Sequence, residues 1–549
     1  MKILLVTEKC SPNAEQKDGG ARLVETLKSA FKESLSIMQF GTARDTSPTW
    51  RFDYPFDEQN RFKRRLANAH FIAEKIKAVE NSFTHVVFIH ISMQFGLVSL
   101  PLREDVEIWT FPMFLTPSYQ ASGEIVPHDY TAMEKLALAH SKIILSPSQF
   151  ERRQLTQFYS IAEERIHVVP RGIDTKLLAP HIRTLDGPPQ FCSIGSIKPQ
   201  KNTLGLLRLF DEIQARHPGS SLRIIGPIQD QVYYEKVCAE IEKLRLQKLV
   251  ECKGHIPPTD LPMSITDAHI HLSTSLCETF GRSIFETLAS GLPNIARKTG
   301  NAAAEFLQHV PYAQFVDDNA AALDAIDAML AQLPQLSAMA IEIGSLYDDE
   351  ILSQLLAAKI GRKEILAISD FDGTLFHKDN PEKTVRCINA FRKFPARVIC
   401  SARPLQNLQQ VLKFYNLEVD WIIASSGSVV SNTGGEILWL TPLEPEDISA
   451  FSEAKRIELA GQVLQLAMPI TPDLLGLRFE TYEGTTFVAH WKASKLRAAC
   501  RLLRHIRWEG QVRVFGDGPY DAELLTYFDG TLITPLPQNN LQKQEIEYA

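Results

Sequence analysis

At residues 365–375 the chain reads ILAISDFDGTL, an apolar run typical of a buried β-strand followed by two carboxylates and a glycine. Asp370 and Asp372 are two residues apart, so near a strand end both side chains can point to one side. Gly373 lets the backbone turn tightly beneath a phosphate. Such a pair can divide phosphate-ester chemistry, because one carboxylate attacks phosphorus while the other donates and then withdraws a proton. A strand-ending turn without chemistry is the alternative, since Asp and Gly are common there.

Three later segments add polar groups in the same part of the chain. Residues 398–404 (VICSARP) predict a second strand that ends at Ser401, and residues 514–521 (VFGDGPYD) predict a third that ends in two carboxylates. Lys495 lies between them in the segment KASK, which also contains Lys492. Either lysine could be the cation of this group of motifs. In order and strand context the four motifs resemble the haloacid dehalogenase superfamily of phosphatases, specifically members with a large α/β cap such as the sucrose-phosphate phosphatases.

This resemblance covers roughly residues 364–535 and implies a role for each motif residue. Asp370 would be the nucleophile, Asp372 the general acid/base, and Ser401 and Lys495 the groups that hold the phosphoryl group. The implied Mg²⁺ ligands are Asp370, Asp372, Asp517 and Asp521, and a hard oxygen site suits Mg²⁺. Tyr520 stands where the family usually has Asn, which leaves the orientation of the metal-binding loop open.

The first 330 residues repeat an alternation of apolar strands and helices. Predicted strands lie at 3–7, 85–91, 106–111, 142–146 and 166–169, and in a second series at 191–195, 221–226, 249–252, 268–272 and 293–296. This layout predicts two parallel, doubly wound sheets in tandem. Such a pair normally binds a ligand in the crevice between the sheets, at the carboxyl ends of their strands.

Residues 277–293 read CETFGRSIFETLASGLP, which places Glu278 before a helix and Glu286 two turns into it. The N-terminus of that helix offers free N–H groups to a diphosphate. A carboxylate deep in the helix can accept hydrogen bonds from the ribose hydroxyls, while a carboxylate in the preceding loop can contact the sugar ring. A solvated helix face is the alternative for Glu286, but the apolar residues around it favour a mostly buried helix.

The segment resembles the retaining glycosyltransferases of family 4, which have the GT-B fold, and the likeness extends over about residues 1–330. Other matching pieces are Gly19-Gly20, RGID at 171–174 and GSIKPQKN at 195–202. The resemblance implies that Lys201 neutralises the donor diphosphate and that Glu278 and Glu286 hold the donor sugar and ribose. The full donor-binding set is Gly19, Gly20, Lys201, Arg282 and Glu286, with Glu278 as a catalytic residue.

Two positions depart from that family. Ser196 replaces the arginine that usually accompanies Lys201, so the diphosphate would rely on Lys201, Lys198 or Arg282 instead. Many relatives carry a histidine after the strand that here ends at residues 109–112, and it is absent. His90 is then only a weak candidate for a sugar contact, and a structural role is the safer interpretation.

The expected fold class is α/β, with two tandem Rossmann-like domains of the GT-B fold followed by a HAD-like Rossmannoid domain with an inserted α/β cap. The expected domains are an acceptor domain at 1–175, a nucleotide-sugar domain at 176–335, a helical connector at 336–363 and a phosphatase domain at 364–549. Within the last, we expect the cap at about 405–490, with a hairpin at 431–435 and a helix near 446–467. Specificity should lie in loops of the first domain and in the cap, around residues 425–428 and Arg478.

Composition narrows the setting of these activities. With 549 residues, 44% of them hydrophobic, the chain can bury several cores. The net charge of −7 and the even spread of basic residues give no nucleic-acid footprint. The eight cysteines include no C-x-x-C pair, which argues against a zinc site and a disulfide framework. The first apolar run has five residues, too short for a signal peptide. We expect a cytoplasmic protein without a membrane span, of open oligomeric state.

Together the motifs predict a bifunctional enzyme. It would transfer a sugar from a nucleotide-sugar donor to a phosphorylated small-molecule acceptor and then hydrolyse the phosphate monoester of the product with Mg²⁺. One alternative keeps both activities but uncouples them, as in glycoside or antibiotic-type biosynthesis. Another is a nucleotide-sugar-binding scaffold without catalysis, which the Ser196 departure invites. The donor, its nucleotide and the acceptor are not determined by the sequence.

Overall fold

The computed structural model describes residues 2–8, 19–41, 48–307, 310–350, 353, 356, 364–469, 477–482 and 485–533. The chain divides into two compact units, Met1–Ser353 and Gln354–Ala549. Both units are α/β, as the strand and helix patterns predict, and the expected fold class is confirmed. None of the helices in the described ranges has the length and apolar character needed to cross a membrane.

The first sheet of unit 1 is parallel throughout and has the order β3-β2-β1-β4-β5-β6-β7 in the strand numbers that follow. Its strands are β1 (Ile3–Thr7), β2 (Leu35–Phe40), β3 (Trp50–Phe52), β4 (His85–Ile89), β5 (Glu107–Phe111), β6 (Ile143–Ser146) and β7 (Ile166–Val168). The helices are α1 (Gly19–Phe31), α2 (Arg61–Ala67), α3 (Ala69–Lys77), α4 (Thr116–Ala121), α5 (His128–His140) and α6 (Gln149–Tyr159). Strands β2 and β3 were not predicted from the sequence.

The second sheet of unit 1 is also parallel, with the order β10-β9-β8-β11-β12-β13. Its strands are β8 (Gln190–Ile194), β9 (Ser221–Ile225), β10 (Val250–Gly254), β11 (Ile270–Ser273), β12 (Asn294–Arg297) and β13 (Ala313–Val316). The helices are α7 (Thr203–Arg216), α8 (Gln231–Lys243), α9 (Leu261–Ser264), α10 (Arg282–Ala289), α11 (Ala303–Phe306), α12 (Asn319–Ala331), α13 (Leu333–Ile341) and α14 (Gly344–Tyr347).

The segment expected to be a connector is in part a component of unit 1. In α13, Leu336 and Ser337 are buried, and the Ser337 hydroxyl donates to the carbonyl of Gly291 at 2.7 Å. Beyond α14 the chain returns to the junction between the two sheets, where Ile173 forms a parallel bridge with Asp348. The expected boundary at 336 is therefore too early, because these helices pack against α10 of unit 1. The rest of the expected connector, apart from residues 348–350, 353 and 356, lies outside the described residues.

Unit 2 contains two sheets built from strands β14 to β24. These are β14 (Ile365–Asp370), β15 (Ala396–Cys400), β16 (Trp421–Ala424), β17 (Val429–Asn432), β18 (Ile437–Leu440), β19 (Lys455–Leu459), β20 (Gln462–Met468), β21 (Leu477–Tyr482), β22 (Thr485–His490), β23 (Gln511–Gly516) and β24 (Thr531–Leu532). The main sheet has the order β18-β17-β16-β15-β14-β23-β24, and the smaller antiparallel sheet has the order β19-β20-β22-β21. The helices are α15 (Pro381–Phe391), α16 (Leu405–Phe414), α17 (Pro445–Ala450), α18 (Lys495–His505) and α19 (Ala522–Phe528).

The inserted cap is narrower than the expected range of 405–490. Strands β16 to β18 belong to the main sheet, and helix α16 connects two strands of that sheet, β15 and β16. The cap therefore consists of α17 and the separate sheet, at about 445–490. The predicted helix at 446–467 is wrong beyond Ala450, because β19 and β20 follow as a hairpin. Its two turn residues, Ala460 and Gly461, have φ values of 52° and 77°, the left-handed pair that suits a tight hairpin.

Candidate active sites

The first candidate site lies in unit 1, where loops after β8 and β11 meet the start of α10. The Glu278 amide donates to the carbonyl of Gly300 at 2.8 Å, which fixes the loop before the helix. Gly281 has a φ of 82° and ends that loop directly before Arg282, the first residue of α10. Here the chain needs a glycine, because an L side chain rarely adopts this conformation. The loop thereby holds Glu278 in front of the helix N-terminus, as the sequence predicts.

The Lys201 ammonium and the Glu278 carboxylate form a direct ion pair in this site. Lys201 ends a short 3₁₀ turn, Pro199–Lys201, that follows strand β8. Both side chains are largely buried, with 22% and 13% of their surfaces exposed. The two residues expected to contact the donor diphosphate and the donor sugar therefore lie side by side.

Glu286 is buried in α10 and receives two guanidinium groups. Arg282 donates to its carboxylate at 3.2 Å from one turn earlier, and Arg22 of α1 forms a second ion pair with the same oxygen. Burial lowers the pKa of Arg282, as does the nearby Arg22, and the carboxylates of Glu286 and Asp349 oppose that shift. The interpretation of Glu286 as a solvated surface residue is wrong, since 8% of the residue is exposed.

The glycine pair Gly19-Gly20 forms the first two residues of α1. The loop that precedes it, residues 9–18, lies outside the described residues. Arg22 in the first turn of α1 was not identified from the sequence. Its position two residues after the glycine pair is the signal that could have found it.

Lys198 lies in the same cleft, close to Lys201. Burial lowers the pKa of Lys198, and the charges of Lys201 and Arg61 add to this effect against Glu124 and Glu278, so that the pKa is about 8. Arg282 forms ion pairs with Glu286 and Asp349, whereas for Lys198 burial and the neighbouring cations outweigh the carboxylates near it. Among the groups expected to replace the arginine at Ser196, Lys198 therefore has the environment that an anion would relieve.

His90 has a local role in unit 1. Its φ is 80°, and its Nδ1 accepts from the amide of Ser92 at 3.2 Å at the start of the 3₁₀ helix Ile91–Val98. This contact agrees with the structural interpretation of His90 rather than with a sugar contact.

The second candidate site lies in unit 2, at the carboxyl ends of parallel strands. Asp370 ends β14, Ser401 follows β15 and Asp517 follows β23. One carboxylate oxygen from each of Asp370, Asp517 and Asp521 lies within 4.8 Å of the others. The sequence-predicted residues are thus brought together although 151 positions separate Asp370 from Asp521.

Lys495 connects two of these carboxylates. Its Nζ donates to Asp370 Oδ1 and to Asp521 Oδ1, each at 2.7 Å, from the first residue of α18. Burial by itself lowers the pKa of Lys495, but Asp370 and Asp521 outweigh it and hold that pKa well above its usual value. Lys492 lies over the ring of Trp491 at 5.2 Å. Lys495 is therefore the lysine of this site.

The carboxylate cluster itself is under electrostatic strain. Burial raises the pKa of Asp370 well above its usual value, against Lys495, and the nearby Asp521 and Asp517 add to the rise. Burial and Asp521 also raise the pKa of Asp517. Three oxygen donors at this spacing fit a divalent cation such as Mg²⁺, whose charge would offset their mutual repulsion.

Asp372 stands apart from the cluster that could hold a metal. Arg403 donates to both of its carboxylate oxygens, from Nε at 2.7 Å and from Nη2 at 2.6 Å. The prediction that the Asp372 side chain belongs to the metal ligands is therefore not supported among the described groups. Its position two residues after Asp370 is compatible with the expected acid/base role. Arg403 belongs to the VICSARP motif, but the sequence does not show that it pairs with Asp372.

A glycine makes room for the cluster. Gly373 has a φ of 81°, and a Cβ there would lie 1.9 Å from Asp517 Oδ2. Thr374 donates to the other oxygen of Asp517 at 3.2 Å. Tyr520, the residue that departs from the family, is 41% exposed, and its hydroxyl accepts from the amide of Thr481 in the cap at 2.8 Å.

Comparison with known families assigns both units. The family described as Glycosyltransferase Family 4 matches residues 43–177, and the family described as Glycosyl transferases group 1 matches residues 178–343. The family described as haloacid dehalogenase-like hydrolase matches residues 367–467.

Curated relatives match parts of the chain. The D-inositol 3-phosphate glycosyltransferase of Segniliparus rotundus is 28% identical over 172 residues, 30% of this chain and 38% of that protein. The alpha-monoglucosyldiacylglycerol synthase of Streptococcus pneumoniae is 27% identical over 323 residues, 54% of this chain and 71% of that protein. The chain thus spans less than half the length of the first of these relatives.

Solved structures share the fold of unit 1. The sucrose-phosphate synthase of Thermosynechococcus elongatus has a TM-score of 0.53 and 16% identity, covering 66% of this chain and 98% of that one. HepE of Anabaena in complex with UDP has a TM-score of 0.53 and 16% identity, covering 66% of this chain and all of that one. The chain therefore carries glycosyltransferase domains of the GT-B fold followed by a haloacid dehalogenase-like hydrolase domain.

Proposed function

We propose that this chain transfers a sugar, with retention of configuration, from a nucleotide sugar to a phosphorylated acceptor and then removes the phosphate from the product. The observation that carries the proposal is the presence in one chain of a donor-type site around Lys201, Glu278 and Glu286 and a phosphoryl-type site around Asp370. Hydrolysis of a phosphate monoester is strongly favourable, so the second step would draw a reversible first step forward. The name of the relative that acts on D-inositol 3-phosphate supports a phosphorylated acceptor.

In the transferase site, the cations stabilise the leaving group. Negative charge builds on the nucleoside diphosphate as the glycosidic bond breaks, and Lys201 and Lys198 stand where they could neutralise it. Glu278 would break its ion pair with Lys201 and accept a hydrogen bond from a hydroxyl of the donor sugar. Glu286 would accept hydrogen bonds from the ribose hydroxyls. Arg22 and Arg282 hold the Glu286 carboxylate in place for that contact.

In the phosphatase site, Asp370 attacks phosphorus and forms an aspartyl phosphate while the ester P–O bond breaks. Asp372 gives its proton to the departing alkoxide and then takes a proton from the water that hydrolyses the aspartyl phosphate. That water releases inorganic phosphate and restores the Asp370 carboxylate. Ser401 and Lys495 hold the phosphoryl oxygens. Asp370, Asp517 and Asp521 would hold Mg²⁺, which would supply the charge neutralisation that a carboxylate needs to approach an anionic ester.

Mass spectrometry of reaction mixtures tests the coupled function. The wild type and Asp370→Asn are each given a panel of nucleotide sugars, phosphorylated sugars and polyols, and Mg²⁺. We expect the variant to accumulate a phosphorylated glycoside that the wild type converts to the free glycoside.

Other outcomes separate the alternatives. If the wild type hydrolyses simple phosphate esters but no phosphorylated acceptor is glycosylated, the coupled function is wrong and the uncoupled activities replace it. If nucleotide sugars bind but none is turned over, the transferase half is a binding scaffold, as the Ser196 departure would allow.

A further inference from the structure

One loop carries two of the three carboxylates of the phosphatase site, and this loop is closed on itself. In this acidic loop, residues 517–521, Asp521 Oδ2 accepts from the amides of Asp517 at 3.2 Å and of Gly518 at 3.4 Å. A Cβ on Gly516 would lie 2.6 Å from the Cβ of Asp521, so the loop packs tightly on the end of β23. Asp517 and Asp521 therefore move together, and a contact that orients the loop orients both.

Repulsion between carboxylates works against this arrangement. One oxygen from each of Asp370, Asp517 and Asp521 lies within 4.8 Å of the others, and like charges at that distance repel each other. Lys495 offsets part of the repulsion through its hydrogen bonds to Asp370 and Asp521. Contacts that hold the acidic loop beside Asp370 therefore favour a state that is ready to bind a cation.

Tyr520 joins the acidic loop to the cap. Its hydroxyl accepts from the amide of Thr481 at 2.8 Å, and Thr481 is an exposed residue of β21. Strand β21 is the outer strand of the cap sheet, so one of its sides has no neighbouring strand to accept from its amides. The Tyr520 hydroxyl supplies such an acceptor. An asparagine, the usual residue of the family at this position, is too short to reach the same amide from this backbone.

A second contact joins the same strand to the segment just after the acidic loop. Arg478 of β21 donates to Glu523 at 3.0 Å, and the two side chains are 28% and 16% exposed. Glu523 lies in the first turn of α19, two residues after Asp521. Partial burial reduces screening by solvent, so this pair contributes more than a fully exposed one. Asp521 is therefore flanked in the chain by two residues that β21 contacts.

The cap has an apolar core of its own. This core consists of Leu443, Leu466 and Val488, with Phe451 and Phe479 packed against it. Apolar burial of this kind is the main favourable term in folding. The two polar contacts from β21 are directional, so their effect is to fix the position of the acidic loop relative to the cap.

We propose that strand β21 of the cap holds the acidic loop in the orientation that binds Mg²⁺, with Tyr520 as the positioning residue in place of the usual asparagine. The inference rests on the proposed phosphatase function, because it assumes a divalent cation at Asp370, Asp517 and Asp521. Coupling between two contacts of one loop is reciprocal. The cap contact therefore raises the affinity of the site for Mg²⁺, and the bound cation strengthens the contact between Tyr520 and Thr481.

Amide hydrogen exchange of the full chain, resolved to single residues, tests this coupling without relying on catalysis. Addition of Mg²⁺ to the wild type should slow exchange at Thr481, because the acceptor is then held in place. Tyr520→Phe keeps the ring and removes the acceptor, so Thr481 should exchange faster than in the wild type, and at the same rate with and without Mg²⁺. The matched control Tyr415→Phe removes a hydroxyl from the end of α16, where the ring contacts Phe376 and Phe414, and should keep the response to Mg²⁺.

Hydrolysis of phenyl phosphate at varied Mg²⁺ concentration measures the effect on the metal site. We expect Tyr520→Phe and Tyr520→Asn each to raise the half-saturating Mg²⁺ concentration about fivefold, as the loss of one neutral hydrogen bond implies. The loss of activity at low Mg²⁺ should be recovered as the Mg²⁺ concentration is raised.

Arg478→Met is a second and independent test. Removal of a positive charge near the site would by itself tighten the binding of a cation. Loss of the hold on the acidic loop predicts the opposite, a higher half-saturating Mg²⁺ concentration. Arg456→Met is the control, because Arg456 is exposed on β19 of the same cap sheet, and it should leave that concentration unchanged.

Three results would overturn the inference. The first is an exchange rate at Thr481 of the wild type that does not respond to Mg²⁺. The second is an unchanged half-saturating Mg²⁺ concentration in both Tyr520 variants. The third is an equal loss of activity at every Mg²⁺ concentration, which would show that Tyr520 supports the fold alone.

The same data separate this inference from the function on which it rests. A wild type that hydrolyses neither phenyl phosphate nor the phosphorylated sugars and polyols contradicts the phosphatase function, and the exchange at Thr481 then decides the cap contact by itself. A wild type that hydrolyses phenyl phosphate while exchange at Thr481 is independent of Mg²⁺ contradicts only the cap contact.

Discussion

At the residue scale, carboxylates in both sites are paired with cations from distant segments. Lys201 holds Glu278, Arg22 holds Glu286, and Arg403 holds Asp372. In each pair the charged groups are largely buried, so the geometry is fixed before a substrate binds. A substrate that replaces one partner must compensate for the pairing that it breaks.

We propose that Lys198 takes the place of the missing arginine in the donor site. We expect Lys198→Ala to raise KM for the nucleotide sugar about tenfold or more, the loss of one hydrogen bond to a charged group. The second substitution Ser196→Arg should restore the lost affinity. An unchanged KM in Lys198→Ala, measured by product formation at varied donor concentration, would contradict this role.

The same lysine should make donor affinity depend on pH. The lowered pKa of Lys198, about 8, means that its ammonium loses its proton as the pH rises from 7 to 9. Because the charged form binds the diphosphate, KM for the donor should rise over that range. Lys198→Arg keeps its charge and should show a flat profile. A parallel rise in both proteins would assign the dependence to another group.

Arg403 is a positioning residue for the proposed acid/base. A lysine cannot reproduce its two-oxygen contact with Asp372. Arg403→Lys should therefore lower kcat about tenfold or more for alkyl phosphates, whose alkoxide needs a proton, a part of the roughly 10²–10⁴-fold that acid/base catalysis contributes. The loss should be smaller for para-nitrophenyl phosphate, because its leaving group, para-nitrophenolate, departs without a proton. KM should change little for either ester. Equal losses on both esters would mean that Arg403 supports the fold alone.

At the element scale, the junction of unit 1 depends on two chain segments that pass side by side. The Ile173 amide donates to the Tyr347 carbonyl at 2.8 Å, and the Asp349 amide donates to the Ile173 carbonyl at 3.0 Å. A Cβ on Gly172 would lie 2.0 Å from Asp349 Oδ1 and 2.7 Å from its Cα. The glycine is therefore needed for the second segment to reach the first.

Gly172→Ala should destabilise unit 1 by about 1–3 kcal/mol, the usual cost of overpacking. Thermal unfolding should show the loss, and transferase activity should fall earlier on heating than phosphatase activity. Gly434→Ala is the matched control, because its nearest contact is a side-chain oxygen at 3.3 Å. Equal loss of both activities in Gly172→Ala would contradict a local effect in unit 1.

At the scale of the whole molecule, the two candidate sites lie in separate compact units. We expect a mixture of Lys201→Ala and Asp370→Asn chains to form the free glycoside, since each chain keeps one intact site. A freely diffusing intermediate predicts a lag that shortens as the protein concentration rises. Time courses by mass spectrometry measure both. No product from the mixture, although each chain retains its single activity, would show that transfer between sites requires one chain.

Local pattern was sufficient for most strands and for the order of the motifs. Strands β14, β15 and β23 could be predicted because each is an apolar run that ends in polar residues, and parallel strands end at one edge of a sheet. The strands that were not predicted are β2, β3, β13, β16, β21, β22 and β24, and the hairpin β19–β20 was predicted as a helix. Short strands of mixed polarity show little hydrophobic periodicity, so packing against neighbouring strands determines whether they form.

By itself the sequence determined the fold class, the family resemblance and the positions of Asp370, Ser401, Lys201 and Glu278, because these depend on residues close together in the chain. Only the tertiary structure decided which charged groups meet. In the folded chain Lys495, and not Lys492, contacts Asp370, and Arg22 pairs with Glu286. The Asp372 side chain contacts Arg403 instead of the metal cluster, and Glu480 accepts a hydrogen bond from Ser426. Partners tens to hundreds of residues apart have no common local pattern, so their pairing follows from packing and electrostatics in the folded chain.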